Sequence, residues 1–269
     1  MRIANARMYS VNASAAEAWR TLLRWVIDRA GVDAEVIDYP PPQPLPALWA
    51  RSDLACAFMC GYPISQASAA PAVLAAPVPS APAYRGRPEY WTNVVARSDG
   101  PVRTLEEALG RRMAYTAPDS QSGYQALRSL LAPYARERGV PLFASMVGPL
   151  ITPARVVESV LAGDADAGPV DSYAFELMKH HEPARLAALT IVATTSPTPI
   201  PPLVGAANLP PEDAARWRAA LLSVAAAGEL AAVRGTLLLR GFAPATVAHY
   251  DVLREAAEAA TTAGYATLE

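Results

Sequence analysis

Apolar positions along this chain switch repeatedly between a period near 3.6 residues and short continuous runs. That alternation predicts an α/β protein. A short strand is expected over Ile3 to Tyr9. Ser14 to Ala30 then carries Trp19, Leu22, Leu23, Val26 and Ile27 on one helical face, with Gly31 placed to stop the helix. Ala34 to Tyr39 reads as a strand, and the run Pro40-Pro41-Pro42-Gln43-Pro44 breaks regular structure after it. Leu54 to Met59 is a buried strand ending at Gly61-Tyr62-Pro63. Val73 to Val78 and Tyr90 to Ala96 are further strands on either side of a Pro-rich turn.

From about Arg97 the pattern starts again. Thr104 and Glu107 have capping-box spacing at the head of a helix. Met113 to Thr116 is a strand, followed by the loop Pro118 to Gly123 and a helix to about Arg138. Leu142 to Val147 is a strand, and Thr152 to Leu161 a helix with Pro153 in its first turn. Ala165 to Val170 is a strand running into Asp171-Ser172-Tyr173, and Leu189 to Ala193 is another. After Ser196 one strand, Leu203 to Ala207, precedes sequence that reads as helical. The pattern predicts a central α/β segment from which the chain returns to its first lobe.

Composition narrows the classes. The chain has 269 residues, 52% of them hydrophobic and 18% charged, which is too apolar for a disordered chain. Alanine supplies 57 of those residues and adds little burial. Net charge is −2 with no long run of one sign, which argues against nucleic acid or an anionic surface as partner. There are 22 Arg against one Lys, Lys179, a skew that says little about anion binding. No apolar run is long enough to span a membrane. The N-terminal residues Met1 to Arg7 lack an apolar signal-peptide core, as expected either of a cytoplasmic chain or of one whose leader is missing from this sequence. Cys56 and Cys60 read as two thiols at the end of a buried strand, where a disulfide is sterically awkward. A zinc site needs about four ligands, and the only three His residues all lie far from these cysteines in sequence. No cofactor motif and no metal set is expected, and no nucleophilic triad is marked by spacing, so an enzyme is not expected.

Two segments carry chemistry. In Asp119-Ser120-Gln121-Ser122-Gly123-Tyr124, small hydroxyl residues and a glycine stand between a strand and a helix. Orphan amides and the positive dipole end at such a junction suit an anion, although Asp119 or Ser120 could serve only as a helix cap. Asp171 stands at the C-terminal end of a buried strand, where open α/β sheets bind ligands; it is equally placed to cap the following helix. Tyr9, Tyr62, Tyr90, Trp91, Tyr124 and Tyr173 recur at strand ends, as aromatics with one polar tip do around pockets and in cores.

In this order, the segments resemble the phosphate/phosphite/phosphonate-binding proteins of ABC transporters, a branch of the type II periplasmic binding proteins. Tyr90 to Asp99 looks like the family's hinge strand, Thr104 to Leu109 like its following helix, and Asp119 to Tyr124 like its S-x-S-G-Y anion loop. Val157 to Ser172 and Ala193 to Pro201 resemble its "vDSY" stretch and its return hinge. Gln121 stands where phosphonate binders usually have Thr, and Pro149-Leu150-Ile151-Thr152 where many members carry a His. The resemblance implies a two-lobe type II periplasmic-binding-protein fold with two crossover hinge strands: lobe 1 over residues 1–94 plus 196–269, lobe 2 over 95–195. It implies a small oxyanion, phosphonate, phosphate or phosphite-like, held between lobes that close on it, with a transporter permease as partner and the periplasm as location. Ser120, Gln121, Ser122, Gly123 and Tyr124 would meet the ligand from lobe 2, with Asp171 and Tyr173 at its other end. Tyr9, Tyr62, Tyr90, Trp91 and Ser196 would complete the site. An enzyme on the same scaffold and a cytosolic sensor of small organic anions are the alternatives.

Overall fold

A computed structural model describes all residues, 1–269. Its contacts divide the chain into two compact units, Met1–Glu89 with Pro199–Tyr250, and Tyr90–Thr198 with Asp251–Glu269.

The first unit is built on a six-stranded sheet. Its strands lie in the order Leu239–Ala243, Ala72–Pro79, Leu203–Gly205, Leu54–Phe58, Arg2–Asn5, Ala34–Val36. Arg2–Asn5 pairs in parallel with both neighbours, and the Leu203–Gly205 strand is antiparallel to both of its own. The first strand is shorter than its apolar pattern predicts. The Asn5 amide ends it by accepting from the Arg7 N–H and donating to the Ile37 carbonyl, both at 2.8 Å. The helix Ala13–Ala30 is as expected: Asn12 caps it through the Ala15 N–H, and Gly31 closes it at φ +62°. Trp19 and Tyr9 both meet Phe58 edge-on, at 5.0 and 4.9 Å between ring centroids, and seal the core beneath this helix. A short helix, Leu45–Trp49, follows the proline run. The strand Leu54–Phe58 ends before Cys60, which heads the helix Gly61–Gln66. Both cysteines are free and buried.

One strand of this unit is not visible in the hydropathy pattern. Leu239–Ala243 pairs antiparallel with Ala72–Pro79, in sequence that reads as helical. Gly241 sits at its register shift with φ +158°, and a Cβ there would lie 2.8 Å from Ala225 Cβ. The glycine that lets the strand bend against its neighbour also hides it from a propensity reading.

The second unit carries a five-stranded sheet in the order Leu189–Thr194, Thr92–Arg97, Ala167–Asp171, Arg112–Ala114, Ser145–Val147. The last three strands are mutually parallel, so their C-terminal ends share one edge. Thr104 and Glu107 make both bonds of the expected capping box. Helices Gln121–Arg138, Pro153–Ala162 and Ser172–His181 follow the three parallel strands. The core joins Val94, Leu127, Leu131, Leu142 and Phe143 to Ala260, Tyr265 and Leu268.

Those last residues correct the expected division of the chain. The sequence pattern predicts the C-terminal helix Asp251–Thr262 in lobe 1, whereas it belongs to the second unit. Its amphipathic stripe fixes which face is buried, and the partner of that face is set by Arg128 and the Leu127–Leu131 surface. The chain therefore passes between units three times, after Glu89, Thr198 and Tyr250, where two crossings were expected.

Candidate ligand-binding site

Buried polar side chains are concentrated in the second unit. Thr92, Asn93, Thr116, Gln121, Ser122, Gln125, Asp171 and Ser172 are all buried. They sit on the strands Thr92–Arg97 and Ala167–Asp171, at the start of the helix Ser172–His181, and on the connection and first helical turn that follow Arg112–Ala114. Burial of polar groups is costly unless they are bonded, and the bonds made from Thr92, Asn93, Gln125, Asp171 and Ser172 hold the loops in place.

The Ser120–Gly123 segment opens the long helix with a π turn over Gln121–Gln125. The Gln125 N–H reaches the Ser120 carbonyl and the Ala126 N–H the Gln121 carbonyl, each five residues back. Such wide turns are found at functional sites. Ser120 Oγ accepts from the Gly123 N–H at 3.0 Å, so Ser120 is the cap. Helix geometry leaves the Ser122 amide, nearer the end, without a carbonyl one turn behind it. Gly123 is required by a close approach. A Cβ there would fall 1.8 Å from Thr116 Oγ1, while the Thr116 N–H donates to the Gly123 carbonyl at 3.2 Å.

The strand Thr92–Arg97, second in the sheet, braces this turn. Thr92 Oγ1 donates to the Ser122 carbonyl at 3.0 Å, and the Thr92 N–H donates to Thr195 Oγ1 at 3.0 Å. Trp91 exchanges two bonds with Ser172, its N–H donating to Ser172 Oγ and its carbonyl accepting from the Ser172 N–H. The Trp91 indole donates to Asn93 Oδ1 at 3.0 Å. Thr92 is directly opposite Asp171 in the antiparallel ladder. Asp171 Oδ1 accepts from the Ala174 N–H at 2.9 Å, the capping role that the sequence offered it. Tyr90 and Tyr173 are fully buried, and Tyr124 meets Tyr115 edge-on at 5.6 Å.

Beside Thr116 runs the connection after Ser145–Val147. The Leu150 N–H donates to the Tyr115 carbonyl and the Ile151 N–H to the Thr116 carbonyl, at 3.0 and 2.9 Å. Thr152 N–H then reaches back to the Leu150 carbonyl at 2.8 Å across Ile151 at φ +71°, a γ-turn of the strained kind.

Of the twelve residues singled out by sequence, Tyr9 and Tyr62 are in the first unit and the other ten in the second. In the first unit, Tyr9 packs on Phe58 and its carbonyl accepts from the Trp19 indole, while Tyr62 is partly exposed on the Gly61–Gln66 helix. In the second, Tyr90, Trp91, Asp171 and Tyr173 adjoin one strand pair, and Ser120 to Tyr124 form the braced turn. Ser196 is exposed, and it is its neighbour Thr195 that bonds to the strand Thr92–Arg97. Thr92, Thr116 and Thr195 were missed. A hydroxyl inside an apolar strand, as at Thr92, was the one available signal. No group of three His, Cys, Asp or Glu side chains is placed to hold a metal ion.

Two α/β units joined in this way are the fold of the type II periplasmic binding proteins. The chain belongs to the family of periplasmic substrate-binding proteins of phosphonate ABC transporters, whose family model matches residues 10–250. It is similar to a binding-protein component of an ABC phosphonate transporter from Pseudomonas aeruginosa, with a TM-score of 0.80 at 17% identity over 98% of this chain and 88% of that one. It is also similar to PhnD1 from Prochlorococcus marinus in complex with methylphosphonate, with a TM-score of 0.73 at 14% identity over 97% and 98%. A Xanthomonas citri protein bound to ATP gives a TM-score of 0.67 at 18% identity over 98% of both chains. Among curated proteins no sequence match is significant. No single helix is long and apolar enough to cross a membrane.

Proposed function

We propose that this substrate-binding protein receives a small phosphonate or a closely related oxyanion, and that Ser120, Gln121, Ser122 and Gly123 hold its oxygens. The observation that carries this reading is the wide first turn of the Gln121–Arg138 helix, capped at Gly123 and braced from Thr92. Amides at a helix N-terminus bind an anion without a basic side chain, which fits a chain of net charge −2. Ser122 Oγ adds a donor. Asp171 suits a cationic or hydroxyl substituent on the ligand, and Tyr90, Trp91, Tyr124 and Tyr173 would wall its apolar part. Tyr9, Tyr62 and Ser196 are the remaining candidates. The ligand leaves unchanged, handed to a permease at the periplasmic face of a transporter.

Titration calorimetry with methylphosphonate, phosphate, phosphite and acetate tests this. A phosphonate is expected to bind at micromolar Kd, and Ser122→Ala to weaken it about tenfold, about 1.4 kcal/mol. Absence of heat with every oxyanion overturns the reading. Recovery of a chemically altered ligand, followed by mass spectrometry, overturns the transport role.

A further inference from the structure

The helix that opens at Gln121 is tied to the C-terminal segment Asp251–Glu269, which lies beyond the residues that the family model matches. Arg128 is the tie. It is 3% exposed, and its guanidinium spreads over four acceptors. Nη2 donates to the Ala257 carbonyl at 2.8 Å, and Nη1 to Thr261 Oγ1 at 2.9 Å and the Tyr265 carbonyl at 2.8 Å. Nε donates to Gln125 Oε1 at 3.0 Å.

That last bond decides which way the Gln125 amide points. A guanidinium only donates, so it must face the amide oxygen. The amide NH2 is thereby aimed the other way, where it donates to the Pro118 carbonyl at 2.7 Å. Pro118 leads directly into Asp119-Ser120. A second tie runs parallel, from the Leu268 N–H to the Tyr124 hydroxyl at 2.9 Å. The entry to the turn and its exit are thus both fastened to the same C-terminal segment.

We infer that Arg128 and Gln125 are positioning residues for the Ser120–Gly123 turn, and that the segment Asp251–Glu269 sets oxyanion affinity through them. This rests on the reading of that turn as the oxyanion site. A turn pinned at Pro118 is already in its binding geometry. An unpinned one must be ordered when the ligand arrives, and affinity falls by the fraction of time it is misplaced.

The test uses the full chain and two readouts. Gln125→Met keeps side-chain length and removes the donor to Pro118; Arg128→Lys keeps the charge and loses the fork. Kd for methylphosphonate is measured at a temperature where circular dichroism finds each variant folded. Hydrogen exchange of the peptide covering Ser120–Gly123 is followed without ligand. The expected results are a Kd about tenfold weaker for Gln125→Met, faster exchange of that peptide, and no further weakening when Arg128→Lys is added to it. A role confined to stability would lower the melting temperature and leave Kd and local exchange unchanged, and that result overturns the inference. Should Arg128→Lys fail to fold, Gln125→Met alone decides. A wild-type chain that binds no oxyanion overturns the parent reading and the affinity claim together. Unchanged exchange in Gln125→Met overturns the positioning role whatever the ligand.

Discussion

The hydroxyl of Thr92 donates to the carbonyl of Ser122 at 3.0 Å, and both residues are buried. One bond therefore joins the strand Thr92–Arg97 of the second unit to the turn proposed to hold the ligand. Thr92→Val keeps the shape and leaves that carbonyl unsatisfied. The expected cost is about 1–2 kcal/mol in urea unfolding, with weaker methylphosphonate binding. A variant as stable as the wild type counts against the brace.

Gly123 is set against Thr116. A Cβ at residue 123 would lie 1.8 Å from Thr116 Oγ1 and 2.8 Å from Thr116 Cβ and Cγ2. Gly123→Ala is expected to destabilise by about 1–3 kcal/mol and to weaken oxyanion binding at least tenfold. Thr116→Ala added to it should restore part of the stability. Lack of any rescue in thermal melts would mean that the glycine serves something other than this approach.

Asp171 combines a structural and a proposed chemical role, and two variants separate them. Asp171→Asn retains an acceptor for the Ala174 N–H and should melt like the wild type. Asp171→Ala should lose about 1 kcal/mol through the missing cap. The Asn variant is expected to bind methylphosphonate normally and an aminoalkylphosphonate about tenfold more weakly. Equal affinities for both ligands in both proteins would remove the carboxylate from the site.

Much of this was legible in the sequence because it is local. The Thr104–Glu107 capping box, the Asn12-to-Gly31 helix and the Asp171 cap depend on residues within a few positions of each other. The braces do not. Thr92 and Ser122 are 30 residues apart, and Leu268 and Tyr124 are 144 apart. Spacing cannot reveal such pairs. For the same reason the stripe on Asp251–Thr262 marked a buried face without naming the unit that buries it. Ser196 and Thr195 illustrate a finer limit, since adjacent residues of a connection differ in exposure by a rotation that composition does not encode.

Ile151 stores strain at φ +71°, costly for a β-branched residue. Ile151→Gly is expected to raise stability by about 1 kcal/mol, because its backbone bonds to Thr116 and across the γ-turn are kept. The urea midpoint checks this, and a lower midpoint would show that the side chain is worth more than the strain.

Asp166 gives a pH signature. Arg112 donates to it from Nε, Nη2 and its own N–H at 3.0, 2.9 and 2.9 Å. The guanidinium bond, ahead of the cost of burial, holds the carboxyl below the usual carboxylate range. A lowered pKa in the folded state stabilises above the unfolded value and loses that contribution as pH falls through the folded one. The pair is partly exposed, so about 0.5–1 kcal/mol is expected. Asp166→Asn should therefore be less stable than the wild type at pH 6 and indistinguishable at about pH 2. A gap that persists in acid would point to packing instead of charge.

Three passages between the units have a topological consequence. An odd number of passages leaves the two ends of a chain on different units, and Met1 indeed belongs to the first and Glu269 to the second. Two passages would have left both ends on one. A donor and an acceptor fluorophore joined to the two termini are therefore carried by different units, so energy transfer between them tests whether adding methylphosphonate changes their separation, without an internal substitution.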